Sequence, residues 1–416
     1  MRAALLLTLA LSPALLAADW PEFRGPNGTG LYTGPALPTE WGTDTNVAWK
    51  VPVKGKGWSS PVVVGDAVVL TTAVAANEDD PKTKYSLRVL CFSATDGKPR
   101  WDKELFVEDA QSVPQPHKKN SHASPTPVSD GKVVYAHFGH MGTACLKLDG
   151  TVVWKKQDLK YNPVHGNGSS PILIGDKLIV TCDGKDDPVL AALDAKTGDV
   201  KWKTPRENGK TFLFSFATPQ LIEHAGKPVL VSPASHAVMG YDPETGKELW
   251  RVKYPKPGWS LICRPVFGHG LLFVCTGYMN QHLIAFPPDG SGDITDKIAW
   301  KTAKHAPNTP TPLLIGNELY TVADDGFMTC YDAKSGTVHW SERLAGKAYS
   351  ASPIAAGGNI YVTSEEGVGQ VIAAGKEFTE KGKFDLKEKT FATFVPVDGA
   401  IFVRTETQLY KFVAKK

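Results

Sequence analysis

Few residues in this 416-residue chain have the type and spacing that would do chemistry. His137 and His140 stand three apart, and on a strand that spacing sends the two imidazoles to opposite faces, so no metal site is expected there. Gly166-Asn167-Gly168-Ser169-Ser170 is rich in glycine and serine but lacks the spacing of a nucleophile elbow or a phosphate loop. Asp183, Asp186 and Asp187 crowd one loop without the spaced oxygens and closing Glu of a calcium loop, so they read as a solvated turn. No catalytic residue is assigned.

A second set is better suited to binding. Trp58, Asn120, His122, His165, Asn167, Arg206 and Trp259 each fall just ahead of an apolar run, with Ser121, His305 and Tyr349 in comparable places. Imidazoles, amides and aromatic planes suit an oxygen-rich or flat ligand through hydrogen bonding and stacking. Arg206 would offer a bidentate fork to a carboxylate, and Trp58 or Trp259 a surface for a ring or an apolar side chain. The same groups also suit capping strand ends and satisfying loop amides, and both readings stay open at this point.

What must position these residues is a repeat. ALDAKTGDVKW (Ala192–Trp202) has the layout of GYDPETGKELW (Gly240–Trp250) and CYDAKSGTVHW (Cys330–Trp340), with a looser copy at Cys91–Trp101. CLKLDGTVVW (Cys145–Trp154) is one residue short, and Ala285–Trp300 carries an insertion. Each copy reads as a small residue ending one strand, an Asp-x-x-Thr/Ser-Gly turn, and a strand closed by Trp. Upstream lie a Pro-led apolar run, a tight turn and another apolar run, as in SPILIGDKLIV from Ser170 and TPLLIGNELYT from Thr311. Proline fits the first residue of a strand, where a missing ladder N–H does least harm. Four antiparallel strands over roughly 40–50 residues make one propeller blade.

Trp101, Trp154, Trp202, Trp250, Trp300 and Trp340 close six units, Pro353 opens a seventh, and Phe391–Val413 supplies three strands of an eighth. The fourth strand is available in Asn46–Val53, where Trp49 is followed by Lys. The expectation is an all-β, eight-bladed propeller of four-stranded antiparallel blades spanning 46–416, closed by the 46–53 strand against 391–413. Seven blades is the fallback.

Residues 1–18 read as a secretory signal peptide: Arg2, an apolar stretch, and a Leu-Ala-Ala end before Asp19, too short to span a bilayer. Residues 19–45 form an N-terminal extension. No Cys lies near the cleavage point, so a lipid anchor is not expected, nor a transmembrane one. A net charge of +3 gives no argument for nucleic acid. Most of the six Cys occupy positions where sister blades carry Ala, Gly or Ser, which reads as core filling. Cys263 and Cys275 flank one turn symmetrically, and a disulfide between them stays open.

The Asp-x-x-Thr-Gly-x-x-x-Trp hairpin resembles the tryptophan-docking motif of quinoprotein-type (PQQ-like) β-propellers, over almost the whole mature chain. The arrangement is also similar to the BamB-type assembly-factor propeller. WPEFRGPNGTG (Trp20–Gly30), NSHASPTP (Asn120–Pro127) and HGNGSSP (His165–Pro171) resemble secreted bacterial PQQ-like repeat proteins of unknown role. The resemblance implies that Trp49, Trp101, Trp154, Trp202, Trp250, Trp300 and Trp340 dock neighbouring blades. It leaves activity open, because the scaffold hosts both PQQ-dependent dehydrogenases and non-catalytic adaptors. Adjacent cysteines and a Cys-x-x-Cys-His haem motif, found in such dehydrogenases, are missing here. The expectation is a periplasmic or secreted monomeric scaffold without a cofactor, binding an envelope protein, a glycan or a small ligand through the loops around its channel. The alternative is a PQQ-dependent dehydrogenase using Ca2+.

Overall fold

The computed structural model describes residues 19–80, 83–109, 115–207, 209 and 211–414. The expected signal peptide lies outside the described residues. Eight sheets follow one another around a central channel among the described residues, each with four antiparallel strands running outward from it. The inner strands are Val62–Val64, Val128–Ser129, Ile172–Ile174, Gln220–His224, Val266–Gly268, Leu313–Ile315, Ile354–Ala356 and Val395–Val397, in blades one to eight. Blade eight is completed from the other end of the chain: Val47–Pro52 pairs antiparallel with Gln408–Val413, Trp49 opposite Lys411.

The repeat has a direct packing meaning. In the complete copies the small residue lies opposite the Trp: Cys91 faces Trp101, Ala192 faces Trp202, Gly240 faces Trp250 and Cys330 faces Trp340. Five of the repeat's Trp then lean on the turn glycine of the next blade. A Cβ added at Gly97, Gly150, Gly198, Gly246 or Gly336 would come within 2.5–2.9 Å of the ring of Trp49, Trp101, Trp154, Trp202 or Trp300. The glycine is therefore required twice, for its positive φ and for the indole that covers it. Most of these indole N–H groups also donate to the neighbouring blade, as Trp101 does to the Leu148 carbonyl at 2.9 Å and Trp154 to the Ala195 carbonyl at 3.0 Å. In blade seven, which lacks the Trp, the pairing inverts and Val371 faces Gly382. Its outer edge is covered instead by Trp41, stacked on Phe384 at 3.9 Å.

A hydroxyl ring lines the inner end of the blades. In seven of the eight blades the residue at the head of the inner run accepts, through its side chain, the backbone N–H of the equivalent residue one blade earlier. Ser60 donates to Thr126, Thr126 to Ser170, and Ser170 to Thr218. Arg264 donates to Thr311, Thr311 to Ser352, Ser352 to Thr393, and Thr393 back to Ser60, every bond at 3.0 Å. The one position without a hydroxyl is Arg264, a side chain with donors only, so no bond runs into it from Thr218.

The extension is not a loose leader. Trp20 bridges to Val63 of blade one, Leu31–Tyr32 pairs parallel with Ala355–Ala356 of blade seven, and Trp41–Gly42 adds to that blade's outer edge. Between them, Arg24 is fully buried at the channel.

Candidate functional site

The loops leading into the inner strands share one face with the loops that join second and third strands; this is the loop face. The sequence-derived residues divide there into four places. Asn120 and His165 meet: Asn120 Nδ2 donates to the His165 carbonyl at 2.9 Å, and the His117 amide donates to the same carbonyl at 3.1 Å. His165 is exposed at φ 69°, its ring edge-on to His117 and Phe214. Lys119, in the same loop, crosses to Glu365 of blade seven at 2.7 Å.

His122 and Asn167 are interior. His122 is buried against Tyr85, ring centroids 4.5 Å apart, with Nε2 unpartnered. Burial, with His140 as a lesser influence, depresses its imidazole to about 4. Asn167 accepts from the Tyr161 hydroxyl at 2.6 Å and donates to the Phe138 carbonyl at 3.2 Å. It fills the space above Gly139, where any Cβ would collide with it. His140 lies in the short turn Gly139–Met141 rather than on the strand expected, while His137 ends Val133–His137 bonded to Thr143 at 2.8 Å.

Arg206 is also interior, which corrects its reading as an exposed fork. Its guanidinium is fully enclosed, 3.3 Å from Asp183 and bonded to the Pro233 carbonyl and the Ser232 hydroxyl between blades three and four. Asp183 likewise leaves the solvated turn expected of it, while Asp186 and Asp187 stay exposed. Burial raises the Asp183 carboxyl to about 7 although Arg206 opposes that shift. A cavity of about 10 Å³, room for a single water, is lined by Tyr161, Asn167, Ser169, Thr181, Asp183 and Ser215. Arg206 Nη1 approaches Asp183 Oδ2, but neither carboxylate oxygen accepts a well-formed hydrogen bond among the described residues.

Trp58 stands apart, edge-on to Phe391 at 4.5 Å. Trp259 is the member with the most telling surroundings. Its ring stacks on Phe212 at 4.5 Å and 15°, and its backbone bridges to Tyr278. Phe212, Tyr278 and Met279 are 53–57% exposed, and Ile262 adds to the same loops of blades four and five. Phe212, Ser260 and Met279 hold φ of 55°, 56° and 72°, values that side-chain-bearing residues seldom adopt, so backbone strain accompanies the outward display of apolar groups. Sequence reasoning found Trp259 but missed Phe212, Tyr278 and Met279. The signal available was apolar residues in segments without strand alternation, Thr211–Phe216 and Gly277–Asn280.

Among the described residues no group of three or more His, Cys, Asp or Glu is placed to hold a metal, and no helix is long and apolar enough to cross a membrane. The arrangement is a rigid toroid with an apolar aromatic patch on its loop face. The chain matches the family model for outer membrane protein assembly factor BamB over residues 32–157, 86–327 and 290–378. It belongs to that family of PQQ-like propeller repeat proteins. It is 23% identical over 239 residues to an outer membrane protein assembly factor BamB of Shewanella oneidensis, covering 52% of this chain and 55% of the relative. The chain thus spans about half the length of that curated relative. In three dimensions it resembles BamB from Moraxella catarrhalis, with a TM-score of 0.61 at 11% identity over 89% of this chain and 97% of the other. A europium-containing methanol dehydrogenase aligns with a TM-score of 0.47 at 11% identity, over 86% and 89%.

Proposed function

We propose that this protein is an exported, non-catalytic assembly scaffold of the cell envelope that docks a partner protein on its loop face. The observation that carries this reading is the patch of Phe212, Trp259, Tyr278 and Met279, displayed by strained backbone on a rigid frame. Aromatic and Met side chains of this kind dominate protein interfaces, and a propeller holds loops from separate blades in fixed register without reordering. Membership of the assembly-factor family supports an envelope protein as the partner over a glycan. Of the residues chosen from sequence, Trp259 stands inside this surface, with His165 and Asn120 at its edge and Trp58 farther round the face. His122, Asn167 and Arg206 act as buried supports.

The test is crosslinking capture from the native envelope with the mature chain and a Phe212→Ser, Met279→Ser double variant. Both side chains are more than half exposed, so the variant should melt with the parent, within about 0.5 kcal/mol per site. Loss of specific partners at unchanged stability is expected; equal capture by both proteins would sink the proposal. The reading gives no role to a quinone. Protein supplied with PQQ and Ca2+ should show no dye-linked oxidation of alcohols, and turnover there would favour the dehydrogenase alternative.

A further inference from the structure

The segment Trp20–Gly30, so distinctive in sequence, lies across the end of the channel opposite the loop face. Asp19 accepts from the Gly65 amide at the first turn of blade one, and Trp20 exchanges two backbone bonds with Val63 at 2.8 and 3.0 Å. The Pro21 carbonyl takes the Ser129 amide of blade two, the Asn27 carbonyl takes Gln220 of blade four, and the Gly30 carbonyl takes the Ala355 amide of blade seven. Arg264 of blade five pairs with Glu22 at 3.0 Å and donates to the Phe23 carbonyl at 2.8 Å. A segment that touches blades on every side of the ring must cross its axis.

The tip of the segment is Arg24. Among the described residues its guanidinium pairs with no carboxylate. It donates instead to main-chain carbonyls: Thr311, Pro312 and Pro353 of blades six and seven, and Gly28 and Thr29 of its own segment, at 2.9–3.3 Å. Burial and the neighbouring Arg264 depress it to about 9. Two of the receiving carbonyls, those of Pro312 and Pro353, belong to prolines. Arg264 meanwhile occupies the one ring position that gives up a hydroxyl, and it spends its side chain on the segment. Gly28 fits directly over it: a Cβ there would fall 2.1 Å from the Arg264 guanidinium carbon.

We infer that the mouth of the channel opposite the loop face is a binding site for an arginine-bearing peptide, filled in cis by Trp20–Gly30, with Arg264 committed to holding that peptide in place of the ring hydroxyl. The segment thereby covers that mouth of the channel. The inference is independent of which partner the loop face takes.

Trypsin reads the site in the full chain. The Arg24–Gly25 bond of the folded protein should resist cleavage at least about 100-fold longer than in the urea-unfolded chain, since access requires local opening. Arg24→Lys keeps a tryptic site and a positive charge but loses the planar five-donor fork, so cleavage after residue 24 should accelerate about tenfold or more. Gly28→Ala should release the segment from the other side, through its φ of +65° and the collision with Arg264. Cleavage after the buried Arg404 of blade eight serves as the control for global unfolding. Faster cleavage at residue 24 with Arg404 still protected is the expected result. Wild-type protection retained in both variants, or parallel exposure of Arg404, would overturn the inference. A labelled Trp20–Tyr32 peptide should bind the Gly28→Ala chain about tenfold more tightly than its analogue with citrulline for arginine, since citrulline lacks the charge and part of the donor set. Equal binding of the two peptides overturns the guanidinium assignment.

Discussion

Trp49 lies on Gly97. The indole comes from the strand nearest the start of the propeller and the glycine from the third-to-fourth strand turn of blade one, and a Cβ at Gly97 would meet the ring at 2.7 Å. Trp49 Nε1 also donates to the Ala94 carbonyl at 3.2 Å. The contact that joins blade one to two, two to three, three to four and five to six thus also closes the circle, with blade eight carrying a Trp borrowed from the other end of the chain. Trp49→Ala should cost about 3 kcal/mol in denaturant unfolding. Gly97→Ala should cost about 2 kcal/mol, since it combines a positive φ with the collision. A loss below about 0.5 kcal/mol in both would mean the closing strand is not docked this way.

The hydroxyl ring makes a separate prediction about the channel wall. Thr126→Val keeps shape and β-branching but leaves the buried Ser60 amide without an acceptor, a change expected to cost about 1–3 kcal/mol. Ser352→Ala should act similarly through the Thr311 amide. Hydrogen exchange at those two amides is the direct measurement, and unchanged protection would remove the ring from the account.

The ring and the docking contacts differ in how legible they were. Asp-x-x-Thr-Gly…Trp announces itself because one local hairpin must satisfy turn geometry and neighbour packing together, so both constraints fall within eleven residues. The Ser or Thr at the head of most inner runs stood beside a visible strand start, but its bond runs to another blade, and sequence spacing carries no trace of that. Arg206 shows the limit from the other direction. Its position ahead of blade four suggested a loop-face fork, whereas Asp183, from a different loop, draws it inside. The segment at Trp20–Gly30 stood out in the sequence only through its resemblance to other PQQ-like repeat proteins. Its role needed the three-dimensional meeting of Arg24 with carbonyls from blades six and seven.

Stability against pH should show two opposed trends. His122 and His137 are buried with imidazoles depressed to about 4 and about 3, so the stability they contribute is present above pH 6.5 and lost on acidification toward those values. Asp183 is raised to about 7, so its contribution is full below about 4 and is lost as pH rises through 7. Between pH 6.5 and 4.5 the two partly cancel. His122→Gln should therefore flatten the acid loss seen in urea unfolding, and Asp183→Asn should steepen it. Identical slopes in all three proteins would show that these groups titrate alike in the folded and unfolded chains.

The cysteines give the last prediction. Cys91, Cys145 and Cys330 lie opposite Trp101, Trp154 and Trp340, positions that demand a small side chain. All six cysteines are free thiols and buried. Burial pushes Cys91, Cys145, Cys182 and Cys330 up to about 12, so little thiolate exists at neutral pH and reagents cannot reach what there is. Cys263 is held separately, its Sγ within 3.4 Å of the Asn308 and Pro310 carbonyls. Protein recovered from the envelope and kept folded should therefore react with no thiol reagent, and after denaturation should show six thiols. Four would place an oxidised pair at Cys263 and Cys275, the two that flank the Gly268–Gly270 turn. The intact mass of the same sample tests the export reading: it should begin near Asp19, the residue whose carboxylate already caps the blade-one turn at Gly65. A mass that retains Met1–Ala18 would refute cleavage and with it the envelope address.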